Sequence, residues 1–468
     1  MNWGGWAKTN TSLALALVGL VGAASPALPA DLGGDCCADL EERIAELEAT
    51  APRKGNRKVT LTVSGWLNEA IFAWDDGTQR GIYEGTNLIE QPRVRFTGQI
   101  KIDNVWSAGY GLELGIAGNP SNQWNQSSDV SQSADPTKKD DSTNVRKSYW
   151  FVKNADLGQV AFGLNAMATY HLLDDADSTQ TRYASDADAV GVYMSAFLIR
   201  SGGKFVGATP LKWTDILRGW KNSTPGQADL RDVVRYDSPT FAGFTASASW
   251  GEKYLWDAAL TYSNDFGDLH VVARAGYGSS SDPGSTLPGV TAAGTVTTYV
   301  TGGSPCISGT SSATSLPDFG CTWEGAAATV QHSPTGLYLY GGWGGQSVDT
   351  GHALPAGTAF LHDSSFWVIQ PGIEHKWFSV GPTTIFGEYR HDDPGSNPGK
   401  TVEASINFWQ GGVVQYIEPA KAYLYLVYQR ADGEVVGNAA TEKAKAAPNG
   451  ITPLDAFQEF IGGLRINF

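Results

Sequence analysis

The feature that most constrains this chain is an alternation of apolar and polar residues that recurs in sixteen segments. It is clearest at 91–103, where Phe96 and Ile100 share an apolar face and arginines lie on the other face. A period of two places successive side chains on opposite faces of a β-strand. The chain is therefore predicted to be all-β, with strands at residues 59–75, 90–104, 107–118, 143–154, 157–167, 230–238, 241–252, 254–265, 267–279, 321–332, 336–347, 365–377, 381–392, 402–417, 421–431 and 455–468.

Composition excludes two classes of protein. The chain has 468 residues, of which 17% are charged and 41% are hydrophobic. Beyond the N-terminus, no stretch reaches the roughly 18 consecutive apolar residues that a membrane helix requires. The formal net charge of −15 argues against a nucleic-acid partner, because phosphates are bound by basic surfaces. A helical membrane protein and a nucleic-acid-binding protein are both disfavoured.

The connections between the predicted strands alternate in length. Short turns such as 106–107, 155–156 and 334–335 alternate with long loops. An even strand number, with short turns at one rim and long loops at the other, is typical of an outer-membrane barrel. We predict a 16-stranded antiparallel transmembrane β-barrel over residues 58–468, although a soluble β-sandwich alternates in the same way. The long loops are predicted at 76–89, 119–142, 280–320, 348–364 and 432–454, of which 280–320 is expected to be extracellular.

Aromatic residues cluster near the ends of the predicted strands. Trp66, Trp74, Trp106, Trp250 and Trp377 are among them. Tryptophan and tyrosine favour the boundary between membrane and water, since the ring has an apolar body and a polar edge. This placement predicts two aromatic girdles.

The N-terminus has the composition of a secretory signal. Lys8 supplies the positive charge, 13–21 is a short apolar run, and 23–30 is rich in small residues. We predict a signal peptide over 1–30, with cleavage after Ala30 or after Ala27. The chain is therefore expected to leave the cytoplasm.

A short heptad pattern follows the predicted signal. Within residues 31–57, Leu40, Ile44 and Leu47 have the spacing of a coiled-coil seam. Fewer than two heptads form a marginal helix alone. We predict a periplasmic helical segment and linker, which is either a solvated amphipathic linker or a small trimeric bundle.

The four cysteines fall into two pairs. In an oxidising compartment the default state of such pairs is a disulfide. A bridge between Cys306 and Cys321 would staple a long exposed loop, and we predict it. The adjacent Cys36 and Cys37 cannot easily bond to each other, so their state stays open.

Two stretches and the C-terminus resemble a known family. Residues 231–244 are similar to the strand, tight turn and strand that follow the constriction loop of trimeric porins, and 146–163 to the fourth and fifth strands. Phe468 ends an alternating strand, as in outer-membrane proteins that present this strand to the barrel assembly machinery. The chain thus resembles the Gram-negative general diffusion porins, particularly the large porins of alphaproteobacteria.

The resemblance implies a location, partners and a function. It implies a homotrimer in the outer membrane, in contact with membrane lipid and lipopolysaccharide and inserted by the barrel assembly machinery. It also implies a passive, water-filled channel for ions and small hydrophilic solutes, with no cofactor. A substrate-selective porin, and a plugged barrel that acts as a surface anchor or adhesin, are the alternatives. A soluble glycan-binding protein is disfavoured by the terminal Phe468 and the sixteen alternating segments.

The resemblance also implies a pore constriction. In the family, the loop after the fifth strand folds into the barrel and faces arginines on the wall; here that loop is residues 165–229. The wall residues by strand position are Arg93, Arg146 and Arg235, and the alternation supports Arg93 and Arg235 independently. The acidic candidates in the loop are Asp174, Asp175, Asp177, Asp186 and Asp188. Ordinary lumen salt bridges are the alternative role for the arginines.

Two parts of the loop are too apolar for a solvated loop. Residues 194–200 and 211–220 are predicted to form short helices within the barrel or at its mouth, which would narrow the pore. The chain shows no catalytic motif, and its seven histidines are dispersed, so an enzyme is not expected. Calcium among the acidic loop residues stays open, because no EF-hand pattern is present.

Overall fold

A computed structural model gives the structure of residues 59–127, 143–184, 192–207, 210–217, 225–251, 255–280, 285–290, 296–301, 311–312, 320–349, 363–393, 402–437 and 451–468. The signal peptide, the heptad residues Leu40, Ile44 and Leu47, and the adjacent Cys36 and Cys37 lie outside these residues. The same holds for Asp186, Asp188 and Cys306.

Sixteen antiparallel strands form one closed barrel. Each strand pairs with the next along the chain, and β1 pairs with β16 from Trp66 opposite Asn467 to Asp75 opposite Gln458. The predicted fold class is therefore confirmed. The strands are β1 Thr60–Asp75, β2 in two pieces (Arg80–Thr86 and Arg93–Lys101), β3 Trp106–Ile116, β4 Thr143–Asn154, β5 Gly158–Ala166, β6 Leu230–Asp237, β7 Phe244–Gly251, β8 Trp256–Phe266, β9 Leu269–Ser280, β10 Gly320–His332, β11 Leu337–Asp349, β12 Ser364–Phe378, β13 Gly381–Asp393, β14 Val402–Ile417, β15 Ala422–Gly437 and β16 Phe457–Asn467, preceded by Ile451–Pro453.

The remaining elements are short. The predicted loop 280–320 contains a separate three-stranded sheet of Ser285–Val290, Val296–Thr301 and Ser311–Ser312. Between β5 and β6 lie a small hairpin, Arg200–Ser201 with Lys204–Phe205, and one α-helical turn, Trp213–Ile216. Single 3-10 turns lie at Ser121–Gln123, Asp174–Ala176, Gln180–Tyr183 and Glu418–Ala420. Within the described ranges, no helix has the length and apolar character needed to cross a membrane.

Two predicted loop boundaries are wrong. The predicted loop 76–89 is mostly strand, because Arg80–Thr86 pairs with β1 after a four-residue turn. The chain then leaves the sheet and returns at Arg93, so β2 is split, and residues 87–92 lie between its two pieces. Strand β15 continues to Gly437, inside the predicted loop 432–454, because it stays paired with β14.

The two faces of the barrel have opposite character, as β1 shows. Leu67 and Ile71 are more than half exposed on the outer face, whereas Phe72 and Trp74 are buried on the inner face. An apolar outer face is what contact with hydrocarbon requires. Trp106, Trp250 and Trp377 are exposed aromatics, as girdles require. The girdle prediction is wrong for Trp66 and Trp74, whose positions in β1 turn them inward.

Candidate functional site

The chain enters the lumen directly after β5, and a buried carboxylate fixes this entry. Asp257 on β8 accepts hydrogen bonds from the Ala168 amide at 3.1 Å and from the Thr169 amide and hydroxyl, both at 2.7 Å. Arg235 on β6 donates to the carbonyl oxygens of Ala166 and Met167 at 3.1 and 2.9 Å. We call residues 167–229 the insert. Its first turn is thus bound to two strands of the wall.

A β-bulge sets the orientation of two basic side chains on β4. Glu113 pairs with Lys147, but the next residue, Leu114, pairs with Val145, so Arg146 is an extra residue in the ladder. Such a bulge can turn two consecutive side chains to the same face. Arg146 bonds the insert's Tyr170 at 2.9 Å, and Lys147 lines the lumen cavity. The bulge explains why simple alternation did not support Arg146.

Four strands between β2 and β9, namely β2, β4, β6 and β9, direct basic residues into the lumen. This set, which we call the basic wall, consists of Arg93, Arg95, Arg146, Lys147, Arg235 and Arg274. Glu113 on β3 is the common partner of three of them: it binds Arg93 at 3.2 Å, Arg146 at 2.9 Å, and also Arg95. One buried carboxylate therefore holds three guanidinium groups side by side.

The predicted aspartates do not all face the water path. Asp175 lines the cavity and binds Arg274 at 3.2 Å, while the buried Asp174 binds Arg182 of the insert at 2.8 Å. Arg182 also binds Asp175, and Glu90 at 2.9 Å. The insert thus supplies a cation, Arg182, that neutralises its own acids, and the sequence analysis did not predict this residue.

Asp177 has a different environment from the other two. Its carboxylate accepts hydrogen bonds from the amide and hydroxyl of Thr179, at 2.8 and 2.7 Å, and from the Thr181 hydroxyl. It does not line the cavity. Hydrogen bonds of this local kind shape a turn.

Trp66 brings three guanidinium groups together in the lumen. The guanidinium carbons of Arg93, Arg95 and Arg465 lie 4.3, 4.6 and 4.1 Å from the centre of its ring. The face of an indole attracts cations. In β1, Trp66 alternates in step with the inward-facing Asn68 and Phe72, and this alternation was the sequence signal that it faces the lumen. For Arg465 the only sequence signal is its place in the alternation of β16.

These groups line a water-accessible cavity of about 410 Å³. Its lining includes Trp66, Tyr170 and His171 together with seven cationic and two anionic side chains. The cations are Arg93, Arg95, Lys147, Arg182, Arg235, Arg274 and Arg465, and the anions are Glu90 and Asp175. Of the predicted site residues, Arg93, Arg235 and Asp175 line it directly, and Arg146 and Asp174 contact lining residues.

On the opposite side of the lumen, the described residues of the insert pack against the wall. Phe197 is fully buried, with ring centres 4.9 Å from both Trp74 of β1 and Phe457 of β16. We call the inward-facing apolar residues of β11 to β15 the apolar wall; among them are Tyr340, Val368, Phe386, Phe408 and Tyr425. They form one hydrophobic cluster with Val192, Met194, Ile199, Leu211 and Trp213 of the insert.

Glycine lets the returning end of the insert touch the wall by its backbone. Gly226 has φ +90°, and a Cβ there would lie 2.5 Å from the Cα of Gly344 and 2.8 Å from the Glu324 carbonyl oxygen. No larger residue fits without displacing backbone. Of the two predicted helices, residues 194–200 end in a strand and 211–217 contain one helical turn, Trp213–Ile216; residues 218–220 lie outside the described part of the chain.

A polar latch ties the insert to the loop rim. Arg200 donates to Asp76 at 2.7 Å, and the Asp455 carboxylate accepts from the amides of Gly202 and Gly203 at 2.9 and 2.7 Å. Burial acts to raise the pKa of Asp76, but the Arg200 guanidinium and hydrogen bonds from Gln79 and nearby donors outweigh it and hold that pKa below its usual range.

The cysteine and metal predictions are only partly covered by the described residues. Cys321 is disulfide-bonded. Its predicted partner Cys306 lies outside them, so the pairing stays a prediction. Among the side chains that the structure describes, no group of three or more His, Cys, Asp or Glu is placed to hold a metal ion.

Comparisons with known proteins show which family and which solved structures this barrel is similar to. Residues 14–433 match the Gram-negative porin family. No curated protein matches the sequence. The anion-selective porin from Comamonas acidovorans is similar in structure, with 15% identity, a TM-score of 0.51, and coverage of 88% of this chain and 100% of that one. The trimer form of OmpT from Vibrio cholerae has 15% identity, a TM-score of 0.48, and coverage of 88% and 99%. Daunomycin-bound OmpF from Salmonella typhi has 10% identity, a TM-score of 0.47, and coverage of 89% and 99%.

A closed sixteen-stranded barrel with an apolar exterior and a charged lumen cavity is a transmembrane β-barrel channel. The chain belongs to the Gram-negative porin family. It is a multi-pass protein of the outer membrane and forms a passive channel for ions and small hydrophilic solutes. Family and fold are those of a channel rather than an enzyme.

Proposed function

We propose that solutes cross the barrel only between the basic wall and the first part of the insert, residues 167–182. The observation that carries this proposal is the cavity of about 410 Å³ on that side, against a packed apolar cluster on the other. Arg93, Arg146 and Arg235, together with Asp174 and Asp175, form the constriction. Charges fixed around a narrow water path select permeating solutes by their sign and polarity.

The proposal gives the remaining acids separate roles. Asp177 shapes the turn of the insert through Thr179 and Thr181 and does not take part in selection. Asp186 and Asp188 stay candidates for the constriction. Arg235 has two roles, since it lines the cavity and also binds the backbone at the entry of the insert.

A matched pair of variants on β7 tests the location of the path. Ser247 lines the cavity, and its neighbour Ala248 lies on the exposed outer face. In planar lipid bilayers, Ser247→Trp should reduce the single-channel conductance at least by about half, because ion flow is limited by the narrowest section. Ala248→Trp should leave it unchanged. Equal conductance of the two variants would place the path elsewhere in the barrel.

We further propose that the protein is a homotrimer. The heptad residues Leu40, Ile44 and Leu47 support this, since three short helices could form a bundle that one alone could not. The detergent-extracted protein should insert in conductance steps that come in threes. Single independent steps from a protein whose mass is that of one chain would contradict the trimer, and a silent bilayer with inserted protein would favour the plugged anchor or adhesin.

A further inference from the structure

We propose that this channel prefers anions, and that Trp66 is the positioning residue that assembles a binding site for small oxyanions, such as carboxylates and phosphates, at the constriction. The inference rests on the proposed path along the basic wall and extends it to the charge and chemistry of the solute. It begins from the excess of cations in the lining: seven against two.

The excess remains when the carboxylates behind the lining are included. Glu113, Asp174 and Asp237 each bind a guanidinium group of the site, as Glu90 and Asp175 do. Arg146 joins the cations, which gives eight cations and five anions among the described residues. A water path with a fixed cationic excess concentrates anions and repels cations.

Lys147 is a cation of the lining that contributes to the excess of positive charge. The bulge in β4 turns it into the cavity, where its ammonium lies 5.6 Å from the centre of the Tyr170 ring. No carboxylate among the described residues lies within ion-pair distance of it. Its charge is therefore available to a passing anion, and an ammonium acts on such a ligand as a compact point charge.

Trp66 offsets part of the electrostatic repulsion between the clustered cations. Its ring contacts the guanidinium groups of Arg93, Arg95 and Arg465 at 4.1 to 4.6 Å. Three like charges around one ring are favourable only where the ring and nearby carboxylates offset their repulsion. Guanidinium groups donate in a planar fork that matches carboxylate and phosphate oxygens. The site therefore suits oxyanions better than it suits chloride alone.

Trp66 does not need to touch the solute for this role. It holds the guanidinium groups in place, and their orientation decides how strongly the site binds. Replacing it should change selectivity more than it changes the stability of the barrel, because the side chain lines the charged cavity and lies outside the hydrophobic cluster formed with the insert.

Reversal potentials in a KCl gradient test the preference. The wild-type channel should pass chloride more readily than potassium, and Trp66→Leu and Lys147→Met should each lower the chloride-to-potassium permeability ratio by about twofold or more. Trp66→Phe, which keeps an aromatic face, should recover part of the preference. The matched controls are Trp367→Leu on the exposed face and Lys376→Met in the exposed pair with Glu418; both should keep the wild-type ratio.

Inorganic phosphate then tests the site itself. Phosphate added to one chamber should reduce the chloride current of the wild-type channel and reduce that of Trp66→Leu less. A conducting wild-type channel that prefers potassium would overturn the inference and leave the proposed path intact. An equal response of wild type and Trp66→Leu to phosphate, with equal permeability ratios, would remove Trp66 from the site. A path that Ser247→Trp does not narrow would instead overturn the proposed function.

Discussion

The two halves of the lumen differ in how the barrel wall contacts the insert. On the basic wall, guanidinium groups meet the insert through polar contacts, such as Arg146 with Tyr170 and Arg274 with Asp175, around a cavity of about 410 Å³. On the apolar wall, Phe366, Phe408 and Val427 are buried in the hydrophobic cluster that they share with the insert.

This difference shows how one insert can both narrow a pore and keep it open. Apolar packing is close and non-directional, so it can anchor a segment whose own secondary structure is limited to short turns and a small hairpin. Charged side chains retain water, so the side of the insert that faces the basic wall stays wet. The position of the insert is set on one wall, and permeation is controlled on the other.

The largest effect is expected from disrupting the packing between the apolar wall and the insert. Phe197→Ala removes a fully buried ring between Trp74 and Phe457, which should destabilise the packing of the insert by about 3–5 kcal/mol. The insert should become sensitive to protease, and the single-channel conductance should rise. Phe241→Ala is the control, because that ring is 82% exposed in a turn. An insert as resistant as in the wild type would show that the cluster does not hold it.

A smaller effect is expected at the entry of the insert. Asp257→Ala leaves buried donors of Ala168 and Thr169 without their acceptor, and each costs about 1–3 kcal/mol. Current through the open channel should become noisier, since Tyr170 follows this anchor. The matched control is Asp265→Ala, because the Asp265 carboxylate is exposed; this variant should leave the open-channel noise unchanged. Identical open-channel noise in the two variants would contradict the anchoring role.

Removing one negative charge sharpens the comparison on the basic wall. Glu113→Gln takes away the shared partner of Arg93, Arg95 and Arg146. The chloride-to-potassium permeability ratio should increase by about twofold, since a cationic excess grows. Glu418→Gln, at the exposed pair with Lys376, should not alter the ratio. A lower ratio in Glu113→Gln would show that the wall arginines act through the geometry that this carboxylate imposes, and not through charge.

The smallest effect is expected from pH at the latch. The pKa of Asp76 in the folded protein is below its ordinary value, so the latch contributes its full stability above the unfolded pKa of about 4. That stability is lost as the pH falls through the lower, folded pKa. Proteolysis near Arg200 should therefore be constant between pH 8 and pH 5, on the scale of ordinary carboxyl titration. Increased cleavage already near pH 6 would exclude Asp76 as the controlling group.

The strand pattern could be predicted from the sequence because the alternation is a local property. The spacing of Phe96 and Ile100 assigns them to one face of a strand without knowledge of the neighbouring strands. The count of sixteen strands followed from such segments. The break in β2 could not be predicted, because Arg80–Thr86 is assigned to a strand only by its pairing with β1. Trp66 and Trp74 were misassigned because proximity to a strand end was given more weight than parity.

The candidate site was predicted where one strand carries the signal, and missed where several elements meet. Arg93 and Arg235 alternate visibly, but Lys147 faces the lumen only because of the bulge opposite Glu113 and Leu114. Arg182 joins the site through contacts with Asp174 and Glu90, which lie far from one another in sequence. Such contacts depend on how the insert packs, and a single sequence does not encode that packing locally.

The central claim, that ions pass along the basic half only, is tested most directly by chemical modification of cysteine variants in planar bilayers. Thr261→Cys lies in the cavity lining, and Val368→Cys lies beneath the insert on the apolar wall. We predict that a water-soluble thiol reagent will reduce the current through Thr261→Cys and leave that through Val368→Cys and wild type unchanged. A reduction at Val368→Cys with none at Thr261→Cys would contradict the claim.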